Sequence, residues 1–158
     1  MKGTTMSKYD STNDTKEHIT KVQENMEMFL MLLKFRAEIH DASKLKSPEK
    51  EIFDTVTPRL QKLTYGSEEY KASLAEMKPA LEHHYANNPH HPEYHSNGIN
   101  GMNLIDLVEM LCDWKAATER HDDGDISKSL EINQSRFQIS DQLQSILQNT
   151  VVALGWKS

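Results

Sequence analysis

The chain has 158 residues, 37% of them hydrophobic and 27% charged, with a net charge of −6. That is enough for one domain with a single core, and the negative balance argues against wrapping extended nucleic acid, which needs a basic face. Its only cysteine, Cys112, excludes an internal disulfide, and no run approaches the roughly 20 apolar residues of a membrane span. With no apolar leader among the first fifteen residues, we expect a cytoplasmic protein.

Residues 1–13 are small and polar and read as a disordered tail, leaving 14–158 as one helical domain. From about Thr15, Ile19, Val22, Met26, Phe29 and Leu33 recur at helical spacing. Pro48 and Pro58 punctuate the next stretch, with Ser47 a cap and Pro48 the first helical residue. A helix from Ser67 runs into the histidines, with a kink expected at Pro79. Residues 86–102 hold two prolines and two glycines and read as a long loop. Asn103 can cap a helix to about Glu119; the segment HDDGD reads as a turn, and its His121-Asp122 as solvated loop. Helices follow at about 125–136 and 140–154, the last capped by Ser140. No strand alternation is convincing, and Thr55-Val56-Thr57 is too short. The expected class is all-α, about six helices.

Five of the eight histidines fall in one short segment: His83, His84, His90, His91 and His95. Histidine is the commonest metal ligand, and so many imidazoles are best explained if some hold a metal. Within each adjacent pair, 83–84 and 90–91, we expect one ring to bind and the other to stack or donate a hydrogen bond. His95 is either behind the ligands or facing solvent. A zinc clip within the loop itself is the structural alternative, but structural zinc usually takes four ligands, often thiolates.

In LIDLVEMLCDWKAA, Asp106, Glu109 and Asp113 share an arc of roughly 60° at 100° per residue, while apolar residues cover the other faces. A helix apolar nearly all round is buried, and buried carboxylates must be paired or hold a metal. Ion pairs to Arg36 or Arg136 also satisfy that requirement. A further metal-binding pair is His40-Asp41. On a regular helix these side chains diverge by about 100°, so both reach one ion only where the helix is ending.

HDASK at 40–44 resembles the signature of the HD-domain metal-dependent phosphohydrolase superfamily, with Ala42 and Ser43 where that superfamily prefers Ile and Gly. The order His18, His40-Asp41, the cluster from His83, then Asp113 is similar to its ligand order. HHY at 83–85 resembles the HHE of two-metal members, and CDWKAA resembles the ADxxxA around the last aspartate. Together HDASK, HHYANNPHHPEYH and LIDLVEMLCDWKAA resemble more closely a small uncharacterised family from bacteria and their phages, itself assigned to HD-like folds.

The resemblance implies an HD-like helical bundle. It implies one or two divalent ions (Mn, Fe, Co, Ni or Zn) on His18, His40, Asp41, His83, His84, His90, His91 and Asp113, a mixed imidazole and carboxylate set. It implies a small phosphorylated substrate, a nucleoside monophosphate or cyclic nucleotide, attacked by metal-activated water. Asp41 would hold or bridge the ions. Lys44, Arg36 and Arg136 would contact phosphate, and Glu109 would act as base or orient a ligand histidine. Tyr85 and Tyr94 could stack on a base, whereas Trp114 reads as core. His18 joins this set only if the first helix breaks around Leu32–Ala37: otherwise 22 residues at 1.5 Å rise put it about 33 Å from His40. Three other readings stay open: a di-iron oxygenase of the same fold, a metal-stabilised binding module without catalysis, and a nucleotide sponge. A homodimer through the apolar stripe of 140–156 is also possible.

Overall fold

In the computed structural model, residues 9–64, 67–120 and 124–156 are described. They form six α-helices: α1 Thr12–Ile39, α2 Glu49–Leu60, α3 Glu68–Asn87, α4 Leu104–Thr118, α5 Ile126–Phe137 and α6 Asp141–Ala153. Short 3₁₀ turns lie at Ala42–Leu45, Pro92–Tyr94 and Gly98–Gly101. No strand occurs among the described residues, and no helix there is long and apolar enough to cross a membrane. The 121–122 pair of the expected turn lies outside the described residues.

Local chemistry sets most boundaries. Ser67, Asn103, Asp125 and Ser140 each cap a helix through a side-chain oxygen that accepts a backbone N–H within the first turn. At α4 the cap is reciprocal: Asn103 accepts from Ile105 and Asp106, and Asp106 accepts from the Asn103 N–H at 3.1 Å. α1 already begins at Thr12, inside the tail expected through residue 13.

The helices are interrupted less than the sequence suggests. Pro58 lies in the last turn of α2, and Pro79 lies inside an unbroken α3. Pro48 occupies the capping position of α2, one residue earlier in the motif than expected, and Ser47 makes no cap. Most consequential, α1 runs 28 residues without a break.

The main core joins α4, α5, α6 and the preceding loop: Ile99, Met110, Leu111, Leu130, Leu147 and Val151 are buried together, and Trp114 packs against them. Trp114 stacks on Phe137 with ring centroids 6.0 Å apart. The pair α2–α3 forms a second layer, with Val56 and Ala80 buried. Among the described residues, α1 packs on the fold near its C-terminal end, where it meets α4. The candidate site lies where α1, α3, α4 and the 88–91 turn converge.

Candidate metal centre

α1 stops where the chemistry requires it to. Helical geometry ends at Ile39, His40 adopts φ −50°, ψ 128°, and Asp41 is left-handed at φ 55°. Aspartate is one of the few non-glycine residues that tolerate that region. The sharp turn lets His40 and Asp41 face one place, as two adjacent residues on a helix could not.

Asp41 divides its two oxygens between two sets of ligands. Oδ1 lies 3.3 Å from His84 Nε2 and 3.5 Å from His90 Nε2. Oδ2 lies 3.6 Å from His40 Nε2, which is itself 3.7 Å from Asp113 Oδ1. Two groups of candidate ligands result, Asp41–His84–His90–His91 and His40–Asp41–Asp113, each with its donor atoms within 4.8 Å of one another. They share Asp41.

The donor chemistry fits a cation. Asp41 Oδ1 and His90 Nε2 are buried without a hydrogen-bond partner, a costly state for polar atoms. His84 Nε2 and His91 Nε2 face each other at 2.9 Å. That is about the separation of neighbouring ligands at right angles on an ion with 2.0–2.1 Å bonds. Around the site, Asp41, Glu49, Asp106, Glu109 and Asp113 place five carboxylates against two fixed cations, Arg36 and Lys44, leaving three negative charges for protonated histidines or bound cations to balance.

Behind the ligands stand the groups that orient them. Glu49, fully buried, accepts from His84 Nδ1 at 2.9 Å, His83 Nδ1 at 2.7 Å and Ser43 Oγ at 3.0 Å. Glu109 Oε1 accepts from His40 Nδ1 at 2.8 Å and faces His90 Nδ1 at 3.1 Å, an ion-pair distance off the hydrogen-bond line. Each carboxylate holds a proton on Nδ1 and so leaves Nε2 free to ligate. Glu109 with His40 and His90 is a third group of close donors, but these contacts already occupy it. Asn88 donates to Ser43 Oγ at 2.8 Å and to the His84 carbonyl at 2.7 Å, tying the end of α3 to the turn after α1.

Arg36, one turn before His40, pairs with Asp106 at 2.8 Å and Glu109 at 2.6 Å. The ladder Arg36–Asp106, Arg36–Glu109, His40–Glu109, His40–Asp113 steps forward along both helices, so α1 and α4 run in the same sense here.

Ionisation follows from these neighbours. His40 is raised to about 10 by Asp113 and then Glu109, against the opposing effect of burial. His91 is lowered to about 3 by burial first, then by His90 and His84. Burial pushes Glu109 up, but His40, His90 and Arg36 outweigh it and hold it at about 2. Burial likewise opposes Asp41, yet His84 and Lys44 keep its carboxyl well below the usual range.

The expected site residues separate accordingly. His40, Asp41, His84, His90, His91 and Asp113 come together. His90 and His91 both enter the ligand groups, where one of the two was expected, because they sit in a non-helical turn that lets neighbouring rings converge. His83 stands behind the ligands, on Glu49. His18 is excluded: the break it needed is absent, and it lies on the exposed N-terminal part of α1. Arg36 is held by acids rather than open to phosphate. Arg136 pairs with Glu93 at 3.0 Å and lies over the Phe137 ring, outside the ligand groups. Glu109 accepts from His40 through Oε1 and lies 2.6 Å from Arg36 Nη2 through Oε2, a placement suited to orienting histidines. His95 donates to the Pro89 carbonyl at 2.8 Å and braces the loop. A clip made by the loop alone is not seen, since every candidate group among the described residues draws on His40 or Asp41.

The burial of α4 is also corrected. Its acids are covered, but Leu104, Val108 and Cys112 form an open face. Glu49, Ser43 and Asn88 were missed. Glu49 looks in sequence like any acid in a first helical turn, 34 and 35 residues from its histidines. A cavity of about 420 Å³ between α1 and α4 reaches His40 and Asp113 and is walled by Leu33, Ala37, Val108 and Ala116.

A family model described as a family of unknown function (DUF5662) matches residues 7–153, and the chain belongs to that family. No curated protein and no solved structure matches it.

Proposed function

We propose that this protein is a metal-dependent phosphohydrolase that cleaves a small phosphate ester, with a nucleotide as the favoured class. The observation that carries the reading is the division of Asp41 between two adjoining ligand sets. His84, His90 and His91 with one Asp41 oxygen would hold one divalent ion; His40 and Asp113 with the other oxygen would hold a second. Bound there, such ions supply Lewis acidity, which brings the pKa of a water towards neutrality and polarises a phosphoryl oxygen.

The chain's own residues set the stage for that chemistry. Glu49 and Glu109 keep protons on Nδ1 of the ligand histidines, so the rings present lone pairs. Arg36 balances Glu109 and Asp106 and fixes α1 against α4. Lys44, whose Nζ lies 2.6 Å from Asp41 Oδ2 and whose side chain reaches solvent, supplies a point charge for a phosphate entering beside Asp41. The cavity beside His40 and Asp113 takes the apolar face of the alcohol portion. Mixed imidazole and carboxylate donors suit Mn, Fe, Co, Ni or Zn.

The test is metal analysis of purified protein together with phosphate release from nucleoside monophosphates and p-nitrophenyl phosphate and ring opening of cyclic nucleotides to monophosphates, each with added Mn²⁺, Co²⁺, Ni²⁺, Fe²⁺ or Zn²⁺. Up to two ions per chain and phosphate release, both lost in Asp41→Asn, are expected. Metal binding with no turnover of any ester in the panel sinks the hydrolase reading; oxygen uptake with the iron form would then assign the site to oxygen chemistry.

A further inference from the structure

α1 carries more apolar surface than its fold covers. Ile19, Val22, Met26, Phe29 and Leu33 continue at alternating three- and four-residue steps into Arg36 and His40, a heptad seam seven positions long. Only its last three positions are covered, by α4; from Thr12 to Met31 every α1 side chain is exposed. Beside the seam Met28, Leu30, Met31, Leu32 and Phe35 make residues 26–35 apolar apart from Glu27 and Lys34, and these large side chains, with Ile39 and those of the seam from Ile19 to Phe29, are 41–65% exposed. A helical segment apolar on nearly every side is ordinarily buried, and a contiguous exposed apolar patch marks an interaction surface.

The whole surface agrees. The chain exposes 11860 Å², whereas a compact monomer of 18.2 kDa exposes about 8,100 Å². Even if the residues outside the description were fully extended and contributed about 2,500 Å², the remainder would exceed its compact expectation by on the order of 1,800 Å². A standard stable interface needs about 800 Å² from each partner. A second copy supplies a matching surface by symmetry, since a two-fold contact joins one patch to itself.

We propose that α1 is a homodimerisation helix: the seam Ile19–Phe29, with the apolar flank Met28–Phe35, packs on the same face of α1 in a second copy. On α4, exposed Val108 lines one cavity with Leu33 of α1 beside His40 and Asp113, so that surface continues towards the metal centre. The pairing does not depend on what the centre catalyses. It has a consequence for the centre, because His40 lies at the end of the same helix, so the dimer steadies a ligand.

The experiment is light scattering on size-fractionated full-length protein at about 20 μM, comparing wild type with Phe29→Glu, Val22→Lys and Ile146→Glu. Glutamate and lysine are good helix formers, and both α1 positions are exposed within one chain, so folding is checked by unchanged circular dichroism. We expect a wild-type dimer, a monomer for the two α1 variants with at least a 100-fold weaker association, and an intact dimer for Ile146→Glu on α6. A monomeric wild type overturns the proposal. So does a dimer insensitive to both α1 changes, and one lost only in Ile146→Glu would move the interface to α6.

Discussion

At the scale of single residues, the centre separates groups placed to hold a cation from groups that aim them. Asp41 belongs to the first kind, Glu49 and Glu109 to the second. Removing the charge of an aiming carboxylate leaves the ligand in place but frees its tautomer, and such changes typically cost 10–100-fold in metal affinity. Glu49→Gln and Glu109→Gln should therefore each weaken metal binding by about that factor in competition titrations, whereas Asp41→Asn should abolish both sites. Equal loss in all three would contradict the division of roles. The arginines provide a second contrast. Arg36 neutralises two buried acids, and removing one partner of a buried pair costs about 3–5 kcal/mol. Arg136 pairs with Glu93 at the surface, where such a pair contributes about 0–1 kcal/mol. Urea unfolding of Arg36→Ala and Arg136→Ala should reproduce that gap. The candidate ligand histidines were legible in the sequence because their density had no cheap structural explanation. Glu49 was not, because its partners come from a helix more than thirty residues away and no local period points at them.

At the scale of elements, short-range chemistry placed helix starts well and helix interruptions badly. Asn103, Ser67 and Ser140 announce their helices because a side-chain oxygen beside an orphan N–H needs nothing from the rest of the fold. Proline is different. Pro79 removes one hydrogen bond from α3, yet the packing of α2 against α3 holds the helix through it, an outcome invisible to local reasoning. The end of α1 at Ile39 followed from chemistry rather than propensity, since a His-Asp pair can converge only off a helix. The cap of α4 matters more than most because Asp106 serves both the cap and Arg36. Asn103→Ala should cost about 1 kcal/mol, within the 0.5–2 kcal/mol typical of such caps, and thermal unfolding should show it with metal content unchanged. Loss of metal in that variant would mean that α4 registers the centre through its first turn.

At the scale of the whole molecule, the apolar core and the candidate centre occupy different parts of the fold. The apolar core lies among α4, α5 and α6, while the centre draws its donors from the end of α1, from α3, from the 88–91 turn and from α4. What the sequence did not reveal is this separation, nor how little of α1 the fold would cover; both depend on which faces meet. A ligand that binds only the folded state stabilises by mass action, about 2.7 kcal/mol at a hundredfold excess over its Kd. Leu130, wholly buried in the core, should cost about 2–5 kcal/mol when cut to alanine, because a cavity remains. Leu130→Ala should thus unfold earlier yet keep its full complement of metal, and added metal should raise its transition temperature as it does for wild type. Asp41→Asn should lose that response to metal. Hydrogen exchange locates the same distinction in space: chelation should speed exchange at the end of α1, the end of α3 and residues 88–91, and leave Leu130 and Leu147 protected. If chelation deprotects α5 and α6 to the same degree, the core and the centre form one cooperative unit, and the convergence of α1, α3 and α4 on Asp41 is what holds the whole fold together.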